Sequence, residues 1–513
     1  MNWRLHVLPA IVLALGACAT ASEPSAQTAP QSGATQPVKA LPARVSYPKD
    51  PFPSTYKPMP SEDVLIRNAT VFDGLGVEIK NGAVLIQAGK ITAVGSEAAM
   101  TMPAGIKTID ASGKWVTPGI IDIHSHLGVY PSPGISAHQD GNEISGPVTA
   151  EVWAEHGLWP QDPGFTRAMA GGITAMEILP GSANLFGGRG VIIKAVPSRT
   201  AQGMKFPGAP YTLKMACGEN PKRVYGYGNG SSGPGGKPYS RMGNVAGYRE
   251  AWQSATEYKR KWDKYYTDFD KWEKEAKSPK PKDSGKQDDK DDEPGDPPDA
   301  PDRNLQLDTL MGVLNGEILV QQHCYRADEM AQIIDISKEF GYHVSAFHHG
   351  VEAYKIADLL AANGICGALW ADWWGFKAEA YDGIRENLPM VAKAKGGCAI
   401  VHSDDAYGIQ RLNQEAAKAL ADGLKAGINF SKAEAWTWLS RNPAKALGIL
   451  DKTGTLEPGK GADVVIWSGD PFSVYTRADL VFVDGAVTWN RADVNSQPIM
   501  DFELGQPGSG DRK

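Results

Sequence analysis

At 513 residues, with 42% apolar content and a formal net charge of -7, the chain has the composition of a globular protein and the length of a barrel with additions or of two structural units. The charge is modest and no basic stripe interleaved with aromatics occurs, which excludes nucleic acid as the expected partner. Five cysteines at wide, irregular spacing exclude a small disulfide-stapled scaffold.

The chain opens with Arg4 ahead of an apolar run from Leu5 to Leu15, which is too short to span a bilayer, and Leu15-Gly16-Ala17-Cys18 follows. This pattern reads as an export signal over residues 1–18. It resembles a bacterial lipoprotein signal, and the resemblance implies cleavage before Cys18 and lipidation of that cysteine. Ala19, in place of a retaining aspartate, implies the outer membrane of a two-membrane cell, hence a periplasmic protein that meets the membrane through its lipid anchor only. Residues 19–60 are rich in Ala, Ser, Thr, Gln and Pro and bury too little apolar surface to offset ordering entropy, so a flexible tether is expected there.

Short alternating strands with Gly and Asn turns follow: Val64 to Ile66, Gly82 to Gln87, Lys90 to Val94 and one around Thr108. The same texture returns only in Ala462 to Trp467, Leu480 to Asp484 and Gly485 to Thr488. Neither end has enough strands to close a core alone, so residues 61–112 and 451–492 are expected to form one composite β-sandwich domain around an inserted middle.

That middle, residues 113–450, alternates strand and helix. Eight strands are expected: Val116 to His126, Gly171 to Leu179, Gly190 to Val196, Tyr211 to Cys217, Ile318 to His323, Tyr342 to His349, Ile365 to Trp370, and Cys398 to Asp404. Helical patterns stand between several of them, including Met330, Ile333, Ile334 and Ile336, and Leu412, Ala416, Leu420 and Leu424. Ser431 with Glu434 makes a capping box. The expected fold class is therefore α/β, a (β/α)8 TIM-like barrel inserted into the small β-sandwich. A helical and low-complexity insertion at about 226–310 interrupts it, and its Lys, Asp, Pro and Gly run from Ser278 to about Arg303 reads as a mobile loop. Cys217, Cys324, Cys366 and Cys398 each lie in or beside an apolar strand, which favours buried free thiols.

In a barrel the C-terminal strand ends open on one face. His124 and His126, two residues apart and so on one side of a strand, end strand one; His323 ends strand five, His349 strand six and Asp404 strand eight. Four of only ten histidines, with an aspartate, converge on one rim, an arrangement suited to a transition metal. His348, His343 and His402 read as packing or supporting histidines, because adjacent strand residues face opposite ways. His138 and His156 fall in the long loop after strand one. Asn184-Leu185-Phe186-Gly187-Gly188-Arg189-Gly190 lacks the lysine and hydroxyl of a phosphate loop, so its glycines read as turn residues beside the pocket and Arg189 as a candidate substrate contact.

The pair His124-Ser125-His126, His323, His348-His349-Gly350 and Ser403-Asp404 resembles the ligand set of the metal-dependent amidohydrolase superfamily. Val116 to Asp122 and Gly454-Thr455-Leu456-Glu457-Pro458-Gly459-Lys460-Gly461-Ala462-Asp463 match its flanking segments, and within it the chain is most similar to the imidazolonepropionase-like group. The resemblance implies a strand-four ligand, either Lys214 as a carbamate bridging two ions or Glu219 at a single-ion site, with Lys214 favoured. It also implies zinc, one or two ions, and Asp404 as both ligand and proton carrier. Tyr325 and Arg326 are implied in binding the carboxylate end of a dipeptide or other small-molecule substrate. The expected function is metal-assisted hydrolysis of a C–N bond by an exported enzyme. A heterocycle deaminase and a non-catalytic surface binding lipoprotein are the alternatives, and homo-oligomerisation is compatible with the sequence.

Overall fold

A computed structural model describes residues 41–132, 134–227, 237–278 and 295–493. The export signal with Cys18, the tether from 19 to 40 and most of the charged run, 279–294, lie outside the described residues.

The two chain ends build one hydrogen-bonded sheet. β1 (Val64–Phe72) pairs antiparallel with β2 (Glu78–Gln87), which pairs with β3 (Lys90–Ser96). On its other side β1 takes β4 (Lys107–Asp110) and then β5 (Trp115–Pro118), both parallel. β14 (Val464–Trp467) pairs with β5 and carries β15 (Ala478–Val483) and β16 (Ala486–Asn490). Strand alternation divides the work: Val464 and Ile466 join Val64, Ile66, Val84 and Val116 in the sheet's own core, while Val465 and Trp467 face the barrel core. The motif Gly454 to Asp463 serves this junction, since Asp463 accepts hydrogen bonds from the Asp484 backbone and Thr453 Oγ1.

The second sheet has eight strands in sequence order: β6 (Ile120–Ser125), β7 (Ile173–Ile178), β8 (Phe186–Lys194), β9 (Tyr211–Ala216), β10 (Ile318–Cys324), β11 (Val344–His349), β12 (Cys366–Leu369) and β13 (Ala399–Val401). It is a near-closed barrel. The gap between β13 and β6 is seamed by the Asp404 amide donating to the His124 carbonyl at 2.9 Å and, lower down, by Ile121 and Val401 donating to Leu439 and Trp438.

Two features depart from expectation. The run Val116 to His126 is two strands, not one: β5 lies in the terminal sheet and β6 in the barrel, with Gly119 between them. Pro118 offers no amide, and a Cβ at Gly119 would stand 2.0 Å from Thr174 Oγ1, so only glycine lets the chain pass. The third barrel strand is longer than expected and runs antiparallel to both neighbours. Only the segment 179–185 joins β7 to β8, too short for the dozen-residue crossover that a parallel return needs. The glycines expected as turn residues, Gly187 and Gly188, thus lie inside β8.

Helices cover the barrel. They include α1 (Pro163–Ala170), α2 (Arg241–Lys277), α3 (Leu305–Leu314), α4 (Ala327–Phe340) and α5 (Leu412–Lys425). Met330, Ile333, Ile334 and Ile336 of α4, and Leu412, Ala416 and Leu420 of α5, are buried as their spacing requires, whereas Leu424 is exposed. The Ser431–Glu434 capping box forms. α2 runs for 37 residues, about 55 Å, and buries a stripe of Tyr248, Trp252, Tyr258, Trp262, Tyr265 and Phe269.

The segment from Arg44 to Tyr56, expected as free tether, instead docks on the barrel and on α2. Arg44 pairs with Asp270, Tyr47 packs edge-on against Trp262, and Asp50 receives Lys205 Nζ at 2.9 Å. Composition alone does not register such contacts. The cysteines are likewise not free thiols: Cys217 bonds Cys324 and Cys366 bonds Cys398. Each pair continues the register of adjacent strands, one step past Ala216↔His323 and one step before Gly367↔Ala399, where Cα atoms stand 5.3 and 4.6 Å apart.

Candidate metal centre

His124 sits inside β6, fully buried, and His126 just past its end. Their Nε2 atoms are 3.2 Å apart, and Asp404 Oδ1 lies 3.4 Å from the first and 3.3 Å from the second. Three donors on a triangle of that edge are what a four-coordinate ion with bonds of about 2.0–2.1 Å requires.

Outer partners fix the ring protons. His126 donates Nδ1–H to the Leu179 carbonyl at 2.8 Å, which leaves Nε2 as a lone pair. His348 donates Nε2–H to Gln321 Oε1 at 2.8 Å, so its Nδ1 accepts from His124 Nδ1–H, also at 2.8 Å, and His124 Nε2 is freed for a cation. Burial, reinforced by Lys214 and the neighbouring rings, holds the His124 pKa well below its ordinary value and keeps the ring neutral, as a metal ligand must be.

Asp122 sets the spacing between the two sides of the seam. Its buried carboxylate accepts from the backbone amides of His124 and Ser403 and from Ser403 Oγ, locking β6 to the segment that carries Asp404. His349 and Asp404 both have left-handed backbones, φ of 72° and 60°. Strain of this kind at non-glycine residues collects where side-chain aim matters more than local comfort. Burial pushes the Asp404 carboxyl upward, but the hydrogen bond and charge of His126, then His402 and Lys214, outweigh it and hold the pKa below the usual carboxylate value.

A second group of donors shares His124. Ring nitrogens of His124, His349 and His402 lie within 4.8 Å of one another. His323 packs against His349 with ring centroids 4.6 Å apart, and among the described residues neither of its nitrogens, nor either of His402's, nor His349 Nδ1, has a hydrogen-bond partner. Buried imidazoles left in that state are what a bound cation would satisfy. Lys214 is fully buried in β9 with Nζ donating to the Pro180 carbonyl at 3.0 Å, and burial pulls its pKa down to about 8. Its charge acts on His124, His323, His349 and Asp404 alike.

Two expected site residues lie elsewhere. Glu219 opens the one-turn helix after β9 and faces Lys377 at 3.8 Å, outside both donor groups. Arg326 is half-buried and donates to Asp328, two residues along, at 2.9 Å. Tyr325 is buried beside the centre, stacked on His349 and edge-on to His323.

His348 has the supporting role expected of it, whereas His402, expected only to pack or support, stands in a donor group, and Lys377 carries no signal in the sequence. His402 stands two residues before Asp404, the same alternation that paired His124 with His126, so the signal was present. Lys377 lies on an irregular loop, where only the fold brings its ammonium 4.2 Å over the Tyr325 ring. Of the expected tryptophan wall, Trp370 leans on His349 at 4.4 Å and lies 5.4 Å from His402. A cavity of about 550 Å³ opens beside His402 and Trp370 and reaches Arg411 and Lys418, a size suited to a small substrate.

A model of the amidohydrolase family matches residues 316–491. The chain is 31% identical over 433 residues to the amidohydrolase tasK of Hapsidospora irregularis, an alignment taking in 81% of this chain and 41% of that one. It is 23% identical over 444 residues to an imidazolonepropionase of Rhizobium rhizogenes, covering 78% and 90% of the two chains. A solved amidohydrolase from Thermotoga maritima MSB8 superposes with a TM-score of 0.68 at 31% identity, over 83% of this chain and 100% of that one. The chain thus spans about two fifths of the length of tasK.

Proposed function

The chain belongs to the amidohydrolase family, and on that footing we propose that it is an exported hydrolase that uses a metal-activated water to cleave a C–N bond in a small amide, a dipeptide or a cyclic amide. The observation that carries this reading is the donor triangle of His124 Nε2, His126 Nε2 and Asp404 Oδ1, with both imidazole protons directed outward.

His124, His126 and Asp404 would hold one divalent ion, zinc by the nitrogen and oxygen character of the donors. His323, His349 and Lys214, the last as a carbamate, would hold a second. A bound ion supplies Lewis acidity, lowering the pKa of water and polarising the scissile carbonyl. Asp404, ionised and aimed into the rim, takes the proton from the attacking water and delivers it to the departing nitrogen. Tyr325 and Trp370 give the reacting bond an apolar, water-poor wall. Lys377, rather than Arg326, supplies the cation near the rim that suits an anionic substrate end.

Deamination of a heterocycle would draw on Glu219 at a single-ion site, and the position of Glu219 against Lys377 disfavours it. A binding protein without turnover would take up metal and leave an amide panel intact. The two disulfides support function outside a reducing cytoplasm, and the resemblance of residues 1–18 to a lipoprotein signal is what supports a periplasmic enzyme anchored at the outer membrane through Cys18. The deciding experiment is hydrolysis of a dipeptide and cyclic-amide panel with metal analysis. Release of amine that follows metal loading supports the reading, and activity indifferent to metal sinks it.

A further inference from the structure

Arg189 takes no part in the metal centre. Its neighbour Gly188 is in register with Lys214, and strand alternation turns Arg189 to the outer wall of the barrel. The side chain is buried, 7% exposed, with Nε donating to Thr309 Oγ1 at 2.8 Å and the guanidinium 4.1 Å over the Trp153 ring. Neither terminal nitrogen of the guanidinium has a hydrogen-bond partner among the described residues, and both retain access to a cavity of about 240 Å³.

That cavity is walled by Trp153, Tyr211, Trp262, Tyr266 and Tyr47, and it includes the opening residues of β9 and β10, Tyr211 and Ile318. The metal donors stand at the far ends of the strands, so the two places are separate. Every other charge on the cavity is committed: Lys49 to Glu317 at 2.7 Å, Arg303 to Asp308 at 2.8 Å, and Asp50 to Lys205 at 2.9 Å. Arg189 alone makes no close ion pair among the described residues; Asp308, Glu155 and Asp50 act on it only at longer range, each already bound to another cation.

We propose that this cavity is a second binding site, for a small monocarboxylate carrying a flat apolar body, with the carboxylate on the two free guanidinium nitrogens and the body among the aromatic rings. The two parallel N–H directions left on the guanidinium match a planar carboxylate, and with Asp308, Glu155 and Asp50 near it a monoanion suits the site better than a dianion, which would want a second cation. The roof of the cavity is the docked segment Tyr47–Pro51 and helix α2. A bound acid therefore ties that segment and the insertion to the barrel wall.

Benzoate is the probe, titrated calorimetrically into the full chain, with benzamide as its uncharged counterpart. Saturable binding of one benzoate per chain, at least tenfold tighter than benzamide, unchanged after chelator treatment and weakened at least tenfold by Arg189→Gln, is expected. Met311→Trp, which fills the cavity without touching the arginine, should abolish it and carries the decision if Arg189→Gln does not fold. Absence of saturable binding, equal binding of benzamide, equal binding by a folded variant, or loss of binding on chelation overturns the proposal.

Discussion

His348 Nδ1 lies 2.8 Å from His124 Nδ1, and this single hydrogen bond decides which nitrogen of His124 is left for a cation. The chain of protons runs from His124 through His348 to Gln321 Oε1, and each link is buried. Replacing His348 with Phe should leave the barrel folded and weaken metal affinity by about 10–100-fold, the usual cost of losing such an outer partner. Chelator competition measures it, and an unaltered dissociation constant would show that the tautomer is set some other way.

The choice between Lys214 and Glu219 can be made by counting ions. Lys214→Ala should lower the metal content by one ion per chain and remove hydrolysis, while Glu219→Gln should keep both. The reverse pattern would return the centre to a single-ion site built on Glu219. The basis is placement: Lys214 is charge-coupled to four of the donors, and Glu219 faces Lys377.

Asp122 holds the open seam of the barrel, through His124 on β6 and Ser403 just past β13. Asp122→Ala leaves two buried amides without an acceptor and should cost about 2–5 kcal/mol. Denaturant unfolding of the metal-free protein gives the number, and a loss below 1 kcal/mol would mean that the seam is held elsewhere.

The disulfides close loops of 107 and 32 residues, worth about 3–5 kcal/mol each on chain-entropy grounds. Reduction should lower the unfolding midpoint. Loss of Cys217–Cys324 should also weaken metal binding, because Cys324 follows His323 directly, whereas loss of Cys366–Cys398 at the opposite strand ends should not. Four titratable thiols in the native, oxidised protein would contradict the pairing.

Much of this site could be read from residue order because a barrel collects its strand ends on one face. His124, His126, His323, His349 and Asp404 each close an apolar run, and knowing the architecture was enough to bring them together. What escaped were relations between neighbouring strands. The disulfides need the pairing of β9 with β10 and of β12 with β13, which no spacing reveals, and the reversal of β8 follows from a connection whose ends were placed a few residues wrong. Arg326 escaped for a local reason: its guanidinium is engaged by Asp328, two residues on.

The measurement that bears most directly on the account is hydrolysis of a dipeptide panel by the purified chain, first stripped of metal by chelation and then reloaded with zinc, with ions counted in each state. Activity should vanish on stripping and return with the reloaded ion, and Asp404→Asn should stay inactive in both states while remaining folded. Undiminished turnover by the stripped protein would contradict the central claim that His124, His126 and Asp404 act by holding a cation.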